Sequence, residues 1–467
     1  MKLTVIGGGG VRSPLLVSST LKRAQRLHLD ELCLMDIDAE KLAVSGVLAG
    51  EVARQLGSPV RITTTTDPNA ALDSAAHVIT TIRVGNDPAR ILDERIALQH
   101  GVLGQETTGP GGFAMAMRSI PAILKYAELL EKRSPGAWIF NFTNPAGLVT
   151  QALRQQGFHR TVGICDSANA AQHTLAAWLN LDPGELRAEV FGLNHLSWAR
   201  KVWHAGEDLL HPLLHDPAFQ AGSMLHLFEP GLIAAFDMFL NEYLFYYYYR
   251  EEALRQVLAQ PHTRGEKVAE MNRAMLEELG RLIPISPAQA LEAFYRANQQ
   301  RGLSYMPYTP PGYSPAGYTP PGAAPSSAPV RLRAERTRDQ AEEGYAGVAL
   351  NIMEALQTGE PLYTALNIPN FGAIEGMEDE DVVEISCRVD RSGVAALMIG
   401  AIPAPQLGLM RSVKLYERLA VEAILTRSRL TAVMALMNHP LVLSYSLAQM
   451  LVDEYLAAHR QWVGEWK

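Results

Sequence analysis

Cysteine is scarce in this chain: three residues in 467, Cys33, Cys165 and Cys387. So few and so scattered, they exclude a disulfide framework and point to a reducing compartment in which a free thiolate persists. Excess positive charge is also missing. Lys and Arg number 41 against 49 Asp and Glu, a formal net charge of -8, which leaves nothing basic enough to hold a nucleic-acid backbone or an anionic membrane. Long apolar runs are absent too. "MKLTVIGGGG" breaks into glycine after four apolar or β-prone residues, too soon for the core of a secretory signal, and no other run is long enough to span a bilayer. The expectation is a cytoplasmic protein. What is present, 48% hydrophobic residues, is enough at this length for two lobes and a deep site.

The N-terminal part alternates between two textures. "LTVI", "ELCLMDID", "HVITTIR", "AWIFNFTNPAG" and "RTVGICDS" read as strands, with helical stretches such as "PLLVSSTLKRA" between them. That alternation predicts parallel βαβ units, hence an α/β fold with a Rossmann-like, doubly wound parallel sheet. Beyond about residue 196 longer helical runs dominate ("GEKVAEMNRAMLEELGRL", "VKLYERLAVEAILTRSRLTAVMALM"), and "VVEISCRVD" reads as a strand of a second, mixed α+β lobe. The expected division is 1–196 for a dinucleotide-binding domain and 197–467 for a catalytic and oligomerisation domain. Residues 305–330, with a near-repeat of Tyr-Thr-Pro-Pro-Gly, hold too much proline for helix or sheet ladders and are expected to form a mobile surface insertion.

Several motifs carry chemistry. Gly7, Gly8, Gly9 and Gly10 follow the first strand and Ser13 opens a helix, so backbone can approach a pyrophosphate that the helix N-terminus then faces. Asp36 ends the next strand, where a carboxylate suits a ribose diol and favours NAD over NADP. In "GQETTGPGG" four glycines and a proline leave no regular structure around Glu106, which suits a binding loop. Upstream, Arg90 supplies a fixed cation for an anionic substrate group, while Asp93 and Arg95 read as a solvated, ion-paired helix face. Asn141 and Asn144 of "NFTNPAG" fall at a strand end, where ligands bind or where an ordinary turn sits. Cys165 and His195 have the donor atoms for a divalent transition metal, yet two ligands are too few to define a site by spacing, and by residue chemistry alone a buried cysteine with a hydrogen-bonded histidine is the better reading. Tyr243 and Tyr246 to Tyr249, in "NEYLFYYYYR", read as packing surface or as the source of one basic phenol.

Taken in order, "VIGGGG", "GQETTGPGGF", "NFTNPAGLV", "GICDS", "GLNHLSW" and "EYLFYYYY", with "LNIPNFGAIEGMEDEDVVEISCRVDRSG" near the end, resemble glycoside hydrolase family 4, and within it the 6-phospho-β-glucosidase branch. The resemblance covers nearly the whole chain. It implies NAD and a divalent metal, manganese first, and glycosidic cleavage by elimination and addition in place of two-carboxylate displacement. Cys165 and His195 match the metal ligands, Tyr243 the base that removes the C2 proton, and Asp166 the acid that protonates the leaving oxygen. Glu106 matches the residue that raises the tyrosine's basicity. Arg90, Asn144 and Arg264 of "HTRGE" match substrate contacts. Oxidation at C3 acidifies C2, and the hydride returns after water has added, so NAD is needed without net consumption. Asp directly after the metal cysteine favours the phospho-sugar branches. Val11 and Arg12 after Gly10 depart from the family's glycine loop and bear on the cofactor contacts, while "EGYAGVA" in place of a tyrosine-rich segment, with the proline-rich insertion before it, keeps a non-phosphorylated or differently configured glycoside as the alternative, with a 2-hydroxy-acid dehydrogenase behind it. The resemblance also implies a homodimer or homotetramer.

Overall fold

A computed structural model describes residues 1–303, 305, 308 and 338–467. Nearly all of the proline-rich segment 305–330 therefore lies outside the described residues. Six strands run parallel: β1 (Lys2–Ile6), β2 (Glu31–Met35), β3 (Arg61–Thr65), β4 (His77–Thr80), β5 (Trp138–Asn141) and β6 (Thr161–Gly163). Their order is β3-β2-β1-β4-β5-β6, the doubly wound arrangement. Four of these strands, β1, β2, β4 and β5, are almost wholly buried, as apolar runs covered on both faces must be. The sequence reading missed β3. "RITTT" has one long apolar residue and lies half exposed at the sheet edge, so only its β-branched residues mark it as a strand.

The sheet does not stop at β6. β11 (Leu362–Pro369) pairs antiparallel with β6 through Asn367 and Gly163, and β12 (Val382–Asp390) and β13 (Gly393–Ala396) continue outward in antiparallel fashion. "VVEISCRVD" is thus a strand as expected, but it extends the N-terminal sheet, and its residues Val382 to Cys387 are buried there on both faces. A small antiparallel sheet, β7 (Arg187–Leu193), β8 (Leu196–His204), β9 (Glu207–Asp208) and β10 (Phe239–Leu240), stands apart from it. Phe113, Phe140, Phe191 and Trp198 are fully buried in one core that both halves of the chain share.

Two helical readings need correction. "GPGG" is regular after all: it forms the first turn of the 25-residue helix Gly109–Arg133. A β-carbon at Gly111 would lie 2.2 Å from the Gln105 carbonyl oxygen, and one at Gly112 2.4 Å from that of Thr107. The glycines permit close approach of loop to helix, not disorder. The long run from Val413 divides into helices Ala404–Thr426 and Arg429–Asn438, where Arg427 turns left-handed and Ser428 caps the second through its Oγ. Among the described residues no helix is long and apolar enough to cross a membrane.

Candidate active site

The expected residues gather beyond the C-terminal ends of the parallel strands, where strand order reverses between β1 and β4. At the end of β1 the amides of Gly7 and Gly8 both donate to the Met35 carbonyl, at 2.9 and 2.8 Å, which folds the chain sharply toward the helix Ser13–Lys22. The cradle is full. A β-carbon at Gly8 would come within 2.7 Å of Leu34 Cβ, and one at Gly7, whose φ is +96°, within 2.7 Å of the Thr81 carbonyl oxygen. Asp36 closes it, accepting from the Gly9 amide at 2.9 Å through one oxygen and from the Asp38 amide at 3.0 Å through the other. Ser13, at the head of the helix, is buried with no partner for its hydroxyl among the described residues. A shaved backbone, a buried hydroxyl without a partner and a carboxylate at the next strand end together fit a dinucleotide's pyrophosphate and ribose.

The reactive side chains come from scattered segments. Cys165 follows β6, and its Sγ lies 3.0 Å from Ser167 Oγ. Asp166 begins the short 3-10 turn Asp166–Asn169. His195 occupies the turn between β7 and β8 with a φ of 62°, a left-handed conformation that strains a residue with a β-carbon. Its Nδ1 sits 2.9 Å from Thr107 Oγ1, and its ring stacks flat on Tyr243, centroids 3.7 Å apart and planes 2° from parallel. With Nδ1 engaged, Nε2 is the nitrogen left for a cation. Tyr243 is carried by the turn Glu242–Leu244, whose cap Asn241 accepts from the Tyr243 amide at 3.0 Å. The Asn241 amide group also donates to the Ser167 carbonyl and to Ser197 Oγ, so one side chain ties the Cys165 turn, β8 and the tyrosine together.

Electrostatics give this cluster its character. Burial, with the Glu384 and Asp166 carboxylates near it, pushes the Cys165 thiol up, and burial with Cys165 beside it holds the Tyr243 phenol well above its ordinary value. Burial pulls His195 down to about 4, against the pull of Glu106. Glu242 and Glu384 are pushed up to about 7, in each case chiefly by burial. A soft sulfur, a neutral imidazole and several suppressed anions lack one thing, a positive charge, so the donor set fits a divalent cation. Three or more His, Cys, Asp or Glu side chains close enough to hold a metal without help are not found among the described residues.

Positive charge lies on the other side. Glu106 is ion-paired with Arg83 at 2.8 Å and Arg90 at 2.9 Å, and these cations outweigh its burial to hold its carboxyl far below the usual range. Arg90 also pairs with Glu94 at 2.8 Å, and Glu94 accepts from the Gly265 amide at 2.7 Å, which anchors the helix that Arg264 begins. Arg264 donates to the Arg301 carbonyl, and burial with Arg12 nearby pulls the Arg301 guanidinium down to about 9. Arg12, next to the glycine cradle, thus meets the arginine wall.

Sequence reasoning missed Arg83, Arg301, Glu242, Glu384, Thr107 and Asn241. Arg83 and Glu384 had a signal: one closes "HVITTIR" at the ligand edge, and the other is a lone carboxylate in an apolar strand. Glu384 accepts from Ser197 Oγ at 2.7 Å and from Asn194 and Asn367 at 3.2 Å each. Two expectations change. Asp93 is 1% exposed, not solvated: Arg118 grips it bidentately at 2.8 and 2.6 Å, and His459 lies 2.6 Å away. Asn141 is fully buried, with its amide spent on Thr80, Thr143, Ala146 and Thr150. Only Asn144 of that pair is free of such a framework; it sits half buried in the turn that meets the His195 turn through the Gly147 amide and Asn194 Oδ1.

Comparison with known proteins brings these features together. The profile described as Family 4 glycosyl hydrolase matches residues 2–181, and that of the Family 4 glycosyl hydrolase C-terminal domain matches residues 190–442. A probable 6-phospho-beta-glucosidase of Bacillus subtilis is 31% identical over 99% of this chain and 97% of its own length. A phospho-alpha-glucosidase of Clostridium acetobutylicum is 28% identical over 99% and 98%. The solved 6-phospho-beta glucosidase of Thermotoga maritima, with manganese, NAD+ and glucose-6-phosphate, superposes with a TM-score of 0.79 at 27% identity, covering 99% of each chain.

Proposed function

Because this chain belongs to the family 4 glycosyl hydrolases, we propose that it hydrolyses 6-phospho-β-glucosides with the help of NAD and a divalent metal, manganese first. The observation that carries the reading is the flat stack of His195 on Tyr243 beside the Cys165 thiol, which joins a metal-type donor pair to a buried phenol. When bound, NAD supplies reversible hydride abstraction at C3, and the metal supplies positive charge at the sugar's C2 and C3 oxygens. Cys165 and His195 would hold that metal. Gly7, Gly8, Gly9, Gly10 and Ser13 would take the pyrophosphate and Asp36 the ribose.

Tyr243 is the base for the C2 proton. Burial keeps its phenol protonated in the free chain, so it works only with positive charge beside it. Glu106 raises its proton affinity while being fixed by Arg83 and Arg90. Asp166 gives a proton to the departing oxygen. Arg90, Arg264 and Asn144 hold the sugar, and the arginine wall suits a dianionic phosphate at C6. The β configuration is supported by 31% identity to the probable 6-phospho-beta-glucosidase against 28% to the phospho-alpha-glucosidase, and the α-anomer, which the latter supports, is the second reading. Residues 1–196 form the nicotinamide-binding unit in this scheme, residues 197–467 add the base and complete the sheet, and the chain acts as a homodimer or homotetramer.

The test is turnover of chromogenic 6-phospho-β- and α-glucosides under reducing conditions, with NAD and manganese each present or withheld. Turnover of the β-anomer that needs both supports the reading. Indifference to both overturns it, and faster cleavage of the α-anomer reassigns the configuration.

A further inference from the structure

A cavity of about 480 Å³ opens at the other edge of the sheet, where the first residues of three parallel strands, His77 of β4, Trp138 of β5 and Thr161 of β6, line it. The volume is that of a small-molecule site. Arg154, Arg160 and Arg391 also line it, and no Asp or Glu does among the described residues. Each arginine is held by backbone alone: Arg154 by the His159 carbonyl, Arg160 by that of Gly136 at 2.6 Å, and Arg391 by those of Gln357 and Thr358 at 3.2 and 2.9 Å. None has a carboxylate partner among the described residues, so three guanidinium forks are positioned but not neutralised.

The floor is built as well. His77 is 8% exposed, and among the described residues neither its Nδ1 nor Gln357 Oε1, also on the lining, has a hydrogen-bond partner. Phe371, 63% exposed with the Arg154 guanidinium 5.9 Å above its ring, and Trp138 supply flat apolar surface. Unpaired arginines suit a dianionic phosphate, and exposed rings suit a planar group. We propose that this cavity is a second ligand site, for a small organic phosphate ester bearing a flat apolar group, separate from the substrate site and independent of the catalytic reading.

The experiment is calorimetric titration of the full chain with phenyl phosphate, beside inorganic phosphate as the probe without a ring. The unmodified chain should show a phenyl phosphate binding event that the Arg160→Gln/Arg391→Gln double variant loses or weakens about tenfold or more. Hydrolytic activity of the variant should be unchanged, because neither arginine lies at the strand edge that carries Cys165 and Tyr243. The Arg160→Lys/Arg391→Lys variant, which keeps the charge without the fork, should bind less tightly than the unmodified chain but more tightly than the glutamine variant, and so separates loss of binding from loss of fold. No binding by the unmodified chain, unchanged binding by the glutamine variant, or equal affinity for inorganic phosphate would each overturn the proposal.

Discussion

The glycine cradle and the reactive cluster share one edge of one sheet, yet they are made of different material. The cradle is backbone. Residues 7 to 13 and Asp36 build it from two adjacent strands, and side chains are mostly kept out of it. The cluster is side chains, drawn from the ends of β5 and β6, the β7–β8 turn, the turn at 242–244 and a carboxylate on β12. A backbone site is specified by what must be absent and depends on local geometry. A side-chain site is specified by which groups meet, and their chemistry changes when they do.

The sharpest break of this comparison is removal of a predicted metal ligand. Cys165→Ser or His195→Ala should lower kcat by about a thousandfold, the several kcal/mol expected of a metal-stabilised charge, and abolish hydrogen–deuterium exchange at the sugar's C2 in deuterated water. Full activity in Cys165→Ser would return the thiol to the role of a buried spacer. Next, Tyr243→Phe should cost roughly a hundred- to ten-thousandfold in both exchange and turnover. Asp166→Asn should slow release of the aglycone while sparing much of the exchange; equal losses in the two assays would argue against separate base and acid.

On the cradle side, Gly8→Ala adds an atom 2.7 Å from Leu34 Cβ and 2.9 Å from its Cα. Overpacking of this kind costs about 1–3 kcal/mol. It should appear as weaker NAD binding by fluorescence titration, with C2 exchange at saturating NAD close to that of the unmodified chain. If exchange fell as much as in Tyr243→Phe, the two regions would not be separable.

The smallest effect is on stability. Glu242 is raised from 4.5 to about 7, chiefly by burial. The folded chain keeps this proton where the unfolded chain has lost it, so its contribution to stability falls as pH rises from about 4.5 to 7. Glu242→Gln removes a group that can ionise. Relative to the unmodified chain its Tm should therefore climb across that window, by the equivalent of on the order of 1–3 kcal/mol. A constant difference in Tm would mean that Glu242 titrates alike in both states.

Much of this was legible from the chain alone where the signal is contiguous. Apolar runs alternating with helical spacing gave the doubly wound sheet, and glycine after a first strand with Asp36 after the second marked the cradle, because strand, turn and helix are local and the β1–β2 neighbourhood follows from topology. The ordered motifs indicated which of the scattered residues belong together. They did not carry physical state. Asp93 read from the sequence as an acid on a solvated helix face, yet it braces Arg118 and His459 in the core, while Glu106 lies between Arg83 and Arg90. Tertiary structure alone decided that, as it decided the stack of His195 on Tyr243, the joining of β12 to the N-terminal sheet and the suppressed ionisation of Cys165. Burial and charge proximity depend on residues up to hundreds of positions apart, and only the closed fold brings them within a few ångströms.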